Sequence, residues 1–187
     1  MSQENYKEDL KNILDTVRPS FEFNVSYIKK YLQGLGLDMG CGSCPLLELN
    51  CLHIDISPQP LCELQVEKHT FIQTDAVTFR PPGKAVVDYI FSSHMVEDLP
   101  TEDAIVNCLN NWAEFLRKDG YLVLLLPDMQ GGRYWTVEEG GNPSHRVNVG
   151  KPFIDKIKER LSNLEIVQVD TIPHDRSCTI DVVFKKI

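Results

Sequence analysis

Apolar residues along this chain fall into short runs that end at polar residues, glycine or proline. Seven such segments have the length and apolar character of buried strands. Their apolar positions are largely continuous, which is typical of strands covered on both faces of a sheet. The predicted strands are 35–39, 51–56, 69–75, 86–94, 121–126, 164–172 and 179–187.

Helical spacing of apolar residues appears between several of these segments. The clearest predicted helix begins after Thr101, a good N-cap residue followed by two acidic side chains, and ends at Gly120. Its inward face includes Trp112 and Leu116. The other predicted helices are 6–17, ended by Pro19, a short one around 25–32, and one from Pro152 to Leu161.

The order of these elements indicates an α/β fold. Apolar strands connected by helices predict a largely parallel, doubly wound sheet. Such sheets bind ligands at the carboxyl ends of their strands. We expect all 187 residues to form a single domain, in which residues 1–33 are a helical cap segment.

Glycines and acidic residues collect at the predicted strand ends. Gly40-Cys41-Gly42 follows the first strand, Asp55 lies at the end of the second, and Asp75 ends the third. Glycine allows a sharp turn and a close approach of backbone to a ligand. Asp55 is placed to accept hydrogen bonds from two ribose hydroxyls, and Asp75 to lie near an adenine amino group. This edge is therefore predicted to hold an adenosine moiety.

Two common nucleotide-binding motifs are absent. A dinucleotide site requires GxGxxG with an acidic residue about 20 positions further on. Here Pro45 stands where the third glycine would be, and Asp55 follows Gly40 by only 15 residues. No segment matches GxxxxGK[ST]. The sequence thus has no obvious cradle for a pyrophosphate.

Cys41 and Cys44 form a CxxC pair, which raises the alternative of a thiol-disulfide oxidoreductase. Six cysteines are present, and without an export signal we expect reduced thiols. Their spacing matches no zinc-binding pattern, so we predict no metal site. The redox interpretation leaves Asp55 and Asp75 unexplained.

Charge and composition limit the classes of partner that we expect. The net charge is −8 with no basic cluster, which argues against nucleic acid and favours a small or neutral substrate. The first 12 residues are polar and acidic, unlike a signal peptide. The longest apolar run, 121–126, is too short to cross a bilayer. We therefore expect a cytoplasmic protein without a membrane span.

Five segments in order resemble the successive motifs of class I S-adenosylmethionine-dependent methyltransferases. They are LDMGCG, HIDISP, QTDAV, DYIFSSHMVEDLP and FLRKDGYLVLLLPD, and the resemblance covers about residues 34–128. It implies a Rossmann-like fold with a mostly parallel seven-stranded sheet, an antiparallel terminal strand and helices on both faces. It also implies S-adenosylmethionine as cofactor and S-adenosylhomocysteine as product.

The resemblance assigns the cofactor contacts residue by residue. The residues expected at its methionine part are Asp38, Gly40, Cys41 and Gly42; those at its ribose and adenine are Asp55, Ile56, Asp75 and Ala76; and Ser92, Ser93 and His94 are expected to line the pocket beneath the sulfonium.

The sequence departs from the commoner family pattern at Cys44, which stands in place of a third glycine. The helix between the first two strands must also be short or missing. A GCG-x-x-P loop with such a short link resembles methyltransferases of glycan and cell-surface biosynthesis. We therefore expect a small-molecule or glycan-type acceptor.

Methyl transfer requires alignment of the acceptor, and a general base only when the acceptor atom carries a proton. His94 is the best placed candidate, and His145 is the second. The loop 129–150 is predicted to cover the acceptor, with Tyr134 and Trp135 as a wall. An alternative is a module that binds S-adenosylmethionine or S-adenosylhomocysteine without turnover.

Overall fold

The computed structural model describes residues 18–57, 70–83, 86–128, 141–172 and 179–187. The helix expected at 6–17 lies outside these ranges, as do Tyr134 and Trp135. The positions predicted to bind cofactor or to act in catalysis all fall within them.

Seven strands form one sheet in the order β3-β2-β1-β4-β5-β7-β6. All neighbouring pairs from β3 to β5 are parallel, whereas β7 is antiparallel to both β5 and β6. The predicted α/β sheet with one antiparallel strand is thereby confirmed. The strands are β1 (Gly36–Met39), β2 (Cys51–Asp55), β3 (Thr70–Gln73), β4 (Val87–Ser93), β5 (Leu116–Pro127), β6 (Leu164–Ile172) and β7 (Thr179–Lys186).

Helices cover both faces of this sheet, as predicted. They are α1 (Arg18–Ile28), α2 (Glu102–Ala113) and α3 (Lys151–Ile157), with 3-10 turns at Lys29–Tyr31, Val96–Asp98 and Lys158–Arg160. Alternate residues of the central strand β5 point to opposite faces. Leu122 and Leu124 join the core beneath α2 and α3, whereas Val123 and Leu125 join the core beneath α1.

The helix α2 is shorter than the sequence predicted. Its start is as expected, because the Thr101 hydroxyl accepts a hydrogen bond from the Ala104 amide at 3.1 Å. It ends at Ala113 instead of Gly120. Leu116 already belongs to β5, where it pairs with Val87 across an irregular register. Leu116 therefore pairs in the sheet, although its spacing from the preceding apolar residues also fits a helix.

The first described helix also differs from its prediction. Residues 18–28 are helical and a 3-10 turn follows to Tyr31, so the helical stretch starts before the predicted 25–32. Pro19 is the second residue of α1. None of the described helices has the length and apolar character required to cross a bilayer.

The carboxylate of Asp88 joins the amino end of β1 to β5. Asp88 Oδ2 accepts a hydrogen bond from the Leu35 amide at 2.7 Å, and Oδ1 pairs with Arg117. The hydrogen bond from Leu35, followed by Arg117, lowers the pKa of Asp88 below its ordinary value. A depressed folded-state pKa contributes stability above the ordinary Asp range, and this contribution is lost as pH falls through the folded pKa.

We expect Asp88→Asn to lower the melting temperature near neutral pH, and the gap to wild type to close in acid. The gap should begin to shrink once pH falls below the ordinary Asp value of 3.8, because the unfolded chain then binds a proton that the folded carboxylate does not yet bind. It should close as pH falls through the lowered pKa of the folded state. Thermal unfolding between pH 7 and pH 3 measures this. A gap of constant size over the whole series would contradict the assignment.

Candidate functional site

The loop after β1 is fixed against the end of β2. The amides of Gly40 and Cys41 donate to the Ile54 carbonyl at 2.8 and 3.2 Å, and the Gly42 amide donates to Asp55 Oδ2 at 2.9 Å. Gly40 and Gly42 both have positive φ, of 68° and 53°. This conformation favours glycine at both positions.

The two glycines nevertheless have different surroundings. A Cβ atom on Gly40 would lie 2.5 Å from Cγ of Met95, whereas a Cβ atom on Gly42 would meet nothing within 4 Å. Gly40 is therefore required by packing inside the protein. Gly42 faces open space, which leaves room for a ligand to approach the backbone.

A buried Asp38–His53 pair lies beneath this loop. Asp38 Oδ2 lies 2.9 Å from His53 Nδ1 on the neighbouring strand, and it also accepts the Leu46 amide at 2.9 Å. Burial raises the pKa of the Asp38 carboxyl, while His53 and the Leu46 amide act in the opposite direction. Asp38 thus anchors the loop from below, and it does not line the cavity beside the loop as the resemblance implied.

The link from β1 to β2, residues 40–50, contains no helix, as the sequence predicted. Since there is no helix to supply a partner, the Leu46 amide donates its hydrogen bond to the Asp38 carboxyl. Arg18 of α1 donates to the Pro45 carbonyl at 3.2 Å from above. These two contacts give the link a defined path without helical hydrogen bonds.

A cavity of about 380 Å³ opens between this loop, α1 and the beginning of β7. It lies where the strand order reverses, between β1 and β4, which is the usual ligand position in such sheets. Five predicted site residues meet there. Its lining consists of Ser20, Phe21, Asn24, Gly40, Cys41, Gly42, Ser43, Cys44, Ser93, His94, Asn142 and Thr179.

The predicted ribose and adenine contacts lie along the same sheet edge but outside this cavity's lining. Asp55 Oδ1 accepts the Ser57 amide at 2.9 Å, and Asp75 Oδ1 accepts the Val77 amide at 2.8 Å. Ile56 is 69% exposed and forms an apolar surface beside Asp55. Ala76 is buried, and its carbonyl accepts a hydrogen bond from Trp112 Nε1 at 3.0 Å.

The two serines at the end of β4 have different places. The Ser92 hydroxyl is buried and donates to the Met39 carbonyl at 2.7 Å, which ties β4 to β1. Ser93 lines the cavity. Of the two serines, only Ser93 is among the residues that line this cavity.

His94 lines the cavity in a backbone conformation that is uncommon for non-glycine residues. Its φ is +50°, in the left-handed region, and such strain in non-glycine residues is concentrated at functional sites. The His94 side chain is 33% exposed, and its Nδ1 lies 3.4 Å from Oε1 of Glu97. One ring nitrogen thus faces a carboxylate while the side chain remains accessible.

Glu97 is a site residue that the sequence analysis missed. It is fully buried between His94 and His145, whose Nε2 lies 3.6 Å from Oε1 of Glu97. Within the described ranges neither carboxylate oxygen has a hydrogen-bond partner. Its backbone carbonyl accepts the amides of Arg146 and Val147 at 2.8 and 3.1 Å. Glu97 therefore connects the cavity to the loop after β5.

His145 is placed differently from His94. It is buried and does not line the cavity, so Glu97 lies between it and the site. Sequence order gives no indication of this arrangement, because 48 residues separate Glu97 from His145.

The far wall of the cavity also escaped the sequence analysis. Ser20, Phe21 and Asn24 lie in α1 before residue 25, where the predicted helix began. Thr179 is the first residue of β7. The one signal available was that β7 begins with a polar residue before an apolar run.

The cysteines do not have the environment of a redox pair. Cys41, Cys44, Cys51 and Cys108 are buried thiols in the described part of the chain. Burial raises the pKa of Cys44, whereas a reactive cysteine requires a lowered pKa. No helix begins in residues 40–50 to stabilise a thiolate. The oxidoreductase interpretation therefore has no support at this CxxC.

Comparison with known proteins agrees with this geometry. A family model described as a methyltransferase domain matches residues 37–124, which run from within β1 to within β5 and include the glycine loop. No curated protein matches the sequence.

Several solved structures share the fold at low sequence identity. A SAM-dependent methyltransferase from Archaeoglobus fulgidus is 18% identical, with 90% of this chain and 94% of that chain covered and a TM-score of 0.69. N-methyltransferase NodS from Bradyrhizobium japonicum WM9, in complex with S-adenosylhomocysteine, is 17% identical, with coverages of 96% and 97% and a TM-score of 0.64.

A third similar structure is the 1,6-didemethyltoxoflavin-N1-methyltransferase of Burkholderia thailandensis. It holds 1,6-didemethyltoxoflavin and S-adenosylhomocysteine. The identity is 14%, the coverages are 100% of this chain and 91% of that chain, and the TM-score is 0.65. In the matched domain, the strand order and the glycine loop at the switch point, this chain is similar to the class I S-adenosylmethionine-dependent methyltransferases.

Proposed function

We propose that this enzyme methylates a small-molecule or glycan-type acceptor held in the cavity between the glycine loop, α1 and the start of β7. The observation that carries the proposal is that one cavity joins the loop expected at the cofactor's methionine part to a separate polar wall. At about 380 Å³ the cavity is near the lower end for ligand sites, which favours a small acceptor group.

The residues present fit S-adenosylmethionine. Open space in front of Gly42 suits its methionine part, with Cys41 and Ser93 beside it. Exposed Ile56 suits an adenine face, and Asp55 keeps carboxylate lone pairs for the ribose hydroxyls. We assign the adenine edge to Asp75 and Ala76. When bound, the cofactor supplies an activated methyl group on a sulfonium.

His94 is our candidate for the general base. A carboxylate facing Nδ1 favours the tautomer that carries its proton there, which leaves Nε2 able to accept a proton from the acceptor. Glu97 thereby orients the ring. We assign His145 to the opposite side of Glu97, as a positioning residue.

The loop 129–150 is the proposed acceptor lid. Its described part places Asn142 in the cavity lining, and its end is hydrogen-bonded to the Glu97 carbonyl. We assign the whole chain to one methyltransferase domain, with 1–33 as a cap whose described part supplies the α1 wall. Location in the cytoplasm and the absence of a nucleic-acid partner complete the proposal, supported by the net charge of −8.

Asp55→Ala should weaken S-adenosylmethionine and S-adenosylhomocysteine about 10- to 100-fold, because hydrogen bonds to a charged group contribute about 1.5–3 kcal/mol. Titration calorimetry with both ligands measures this. The matched control is Asp155→Ala, which removes an exposed carboxylate on α3 that pairs with Lys158. Equal affinity in Asp55→Ala and the control would remove the ribose assignment, and absence of binding to wild type would remove the cofactor site.

Gly40→Ala and Gly42→Ala should separate packing from cofactor contact. Both place alanine at positive φ, which costs roughly 1 kcal/mol, but only Gly40→Ala adds a clash with Met95. We expect the larger fall in melting temperature for Gly40→Ala. Gly42→Ala should instead lose cofactor affinity, because its methyl group enters the open space. Wild-type calorimetric affinity in Gly42→Ala would contradict the proposed methionine position.

His94→Ala should lower turnover about 10²- to 10⁴-fold, the usual contribution of a general base, with cofactor affinity retained. His145→Ala should have a smaller effect, because His145 does not line the cavity. Formation of S-adenosylhomocysteine with a panel of sugars, amines and heterocycles measures both. Full turnover in both variants would exclude a histidine base.

A further inference from the structure

Two buried polar atoms on the far wall of the cavity have no hydrogen-bond partner among the described residues. They are Oδ1 of Asn24 and Oγ1 of Thr179. Asn24 is 5% exposed and Thr179 is 1% exposed, and both residues line the cavity. A buried polar group without a partner is destabilising, so such pairs are uncommon in folded proteins unless a ligand completes them.

These two residues are brought together by different parts of the fold. Asn24 lies on α1, and Thr179 is the first residue of β7. Thr179 is held in the sheet by both neighbouring strands, opposite Pro127 of β5 and Ile172 of β6. The Thr179 position is therefore fixed by the sheet and not by a flexible loop, as a recognition group requires.

The described part of the cavity lining carries no fixed charge. None of its described residues is Lys, Arg, Asp or Glu, and His94 is the one titratable imidazole. The guanidinium of Arg18 acts electrostatically on the Cys44 thiol. It already forms an ion pair with Glu22 at 2.7 Å and donates a hydrogen bond to the Pro45 carbonyl. Without a basic group, an anionic acceptor would lose its hydration without compensation.

A cationic acceptor is also disfavoured. The bound cofactor brings a positive sulfonium to the same cavity, and two like charges within a few ångströms repel. The buried carboxyl of Glu97 lies behind His94 and is not part of the lining. An uncharged acceptor is left as the species that the lining accommodates.

We propose that Asn24 and Thr179 recognise the acceptor, and that it is an uncharged polyhydroxyl compound of the sugar or polyol class. A hydroxyl group both donates and accepts, so it satisfies the amide oxygen of Asn24 and the hydroxyl of Thr179 together. This inference rests on the proposed function and specifies its acceptor. In this proposal the two unpartnered atoms recognise the acceptor, and His94 accepts its proton.

The first test compares sugar probes of similar size and different charge on the enzyme saturated with S-adenosylhomocysteine. The probes are methyl β-D-glucopyranoside, D-glucuronate and D-glucose 6-phosphate, with binding followed by ligand-observed NMR titration. The neutral glucoside should bind about tenfold tighter than either anion. Equal or tighter binding of a charged probe, or no binding of the glucoside, would overturn the inference.

The second test uses variants that keep shape and remove polarity. Thr179→Val and Asn24→Leu should each weaken the glucoside about fivefold to tenfold, the equivalent of one lost hydrogen bond. Thr179→Ser keeps the hydroxyl and should bind the glucoside as wild type does. Unchanged glucoside affinity in Thr179→Val and Asn24→Leu would contradict the assigned roles.

Stability distinguishes recognition from a structural role. Because the two atoms are unpartnered, Thr179→Val and Asn24→Leu should melt at the wild-type temperature or about 2–4 °C above it. A clear fall in melting temperature in both variants would show structural polar groups and overturn the proposal. S-adenosylhomocysteine affinity keeps the two levels apart: its absence in wild type defeats the proposed function, whereas its presence without glucoside binding defeats this inference alone.

Discussion

The site depends on the hydrogen bonds of one buried side chain, the carboxyl of Asp38. It pairs with His53 across the β1–β2 register and accepts the Leu46 amide, so one side chain joins two strands and the loop between them. The loop of residues 40–50 has no helix to order it. Asp38 holds this loop at Leu46, while the turn at Gly40 and Gly42 is held by Ile54 and Asp55. Loss of one partner would leave a buried polar group unsatisfied, which is destabilising.

The two walls of the cavity present different chemical groups. The glycine loop and the end of β4 present backbone and small side chains, which suit close approach of a cofactor. The opposite wall, from α1 and β7, presents unpartnered polar atoms. His94 stands between the walls with its ring turned to Glu97. The Glu97 carbonyl is in turn hydrogen-bonded to the chain after β5, so His94 and the neighbouring loop contact the same residue. The proposed base and the loop are therefore connected through Glu97.

Much of the fold followed from the sequence because strand signals are local. Apolar runs ending in glycine, proline or aspartate located all seven strands, and the strand-end residues Gly40, Asp55 and Asp75 lie at one edge as expected. The errors arose where tertiary contacts outweighed local spacing. Leu116 has helical spacing from Trp112, yet pairing with Val87 places it in β5. Asp38 and Ser92 have the sequence positions of pocket residues, yet their hydrogen bonds to His53 and to Met39 place them behind the cavity.

By itself the sequence determined the sheet, the edge that carries the site and the class of cofactor, because each depends on residues close together in the chain. Tertiary structure alone decided which side chains share the cavity. Asn24 meets Thr179, and Glu97 meets His145, across separations that no periodic pattern records. Whether a polar atom is satisfied depends on everything packed around it, so the unpartnered oxygens of Asn24 and Thr179 are visible only in the folded chain. The proposed acceptor recognition therefore depends on tertiary contacts, whereas the expected cofactor edge follows from the order of the strand ends.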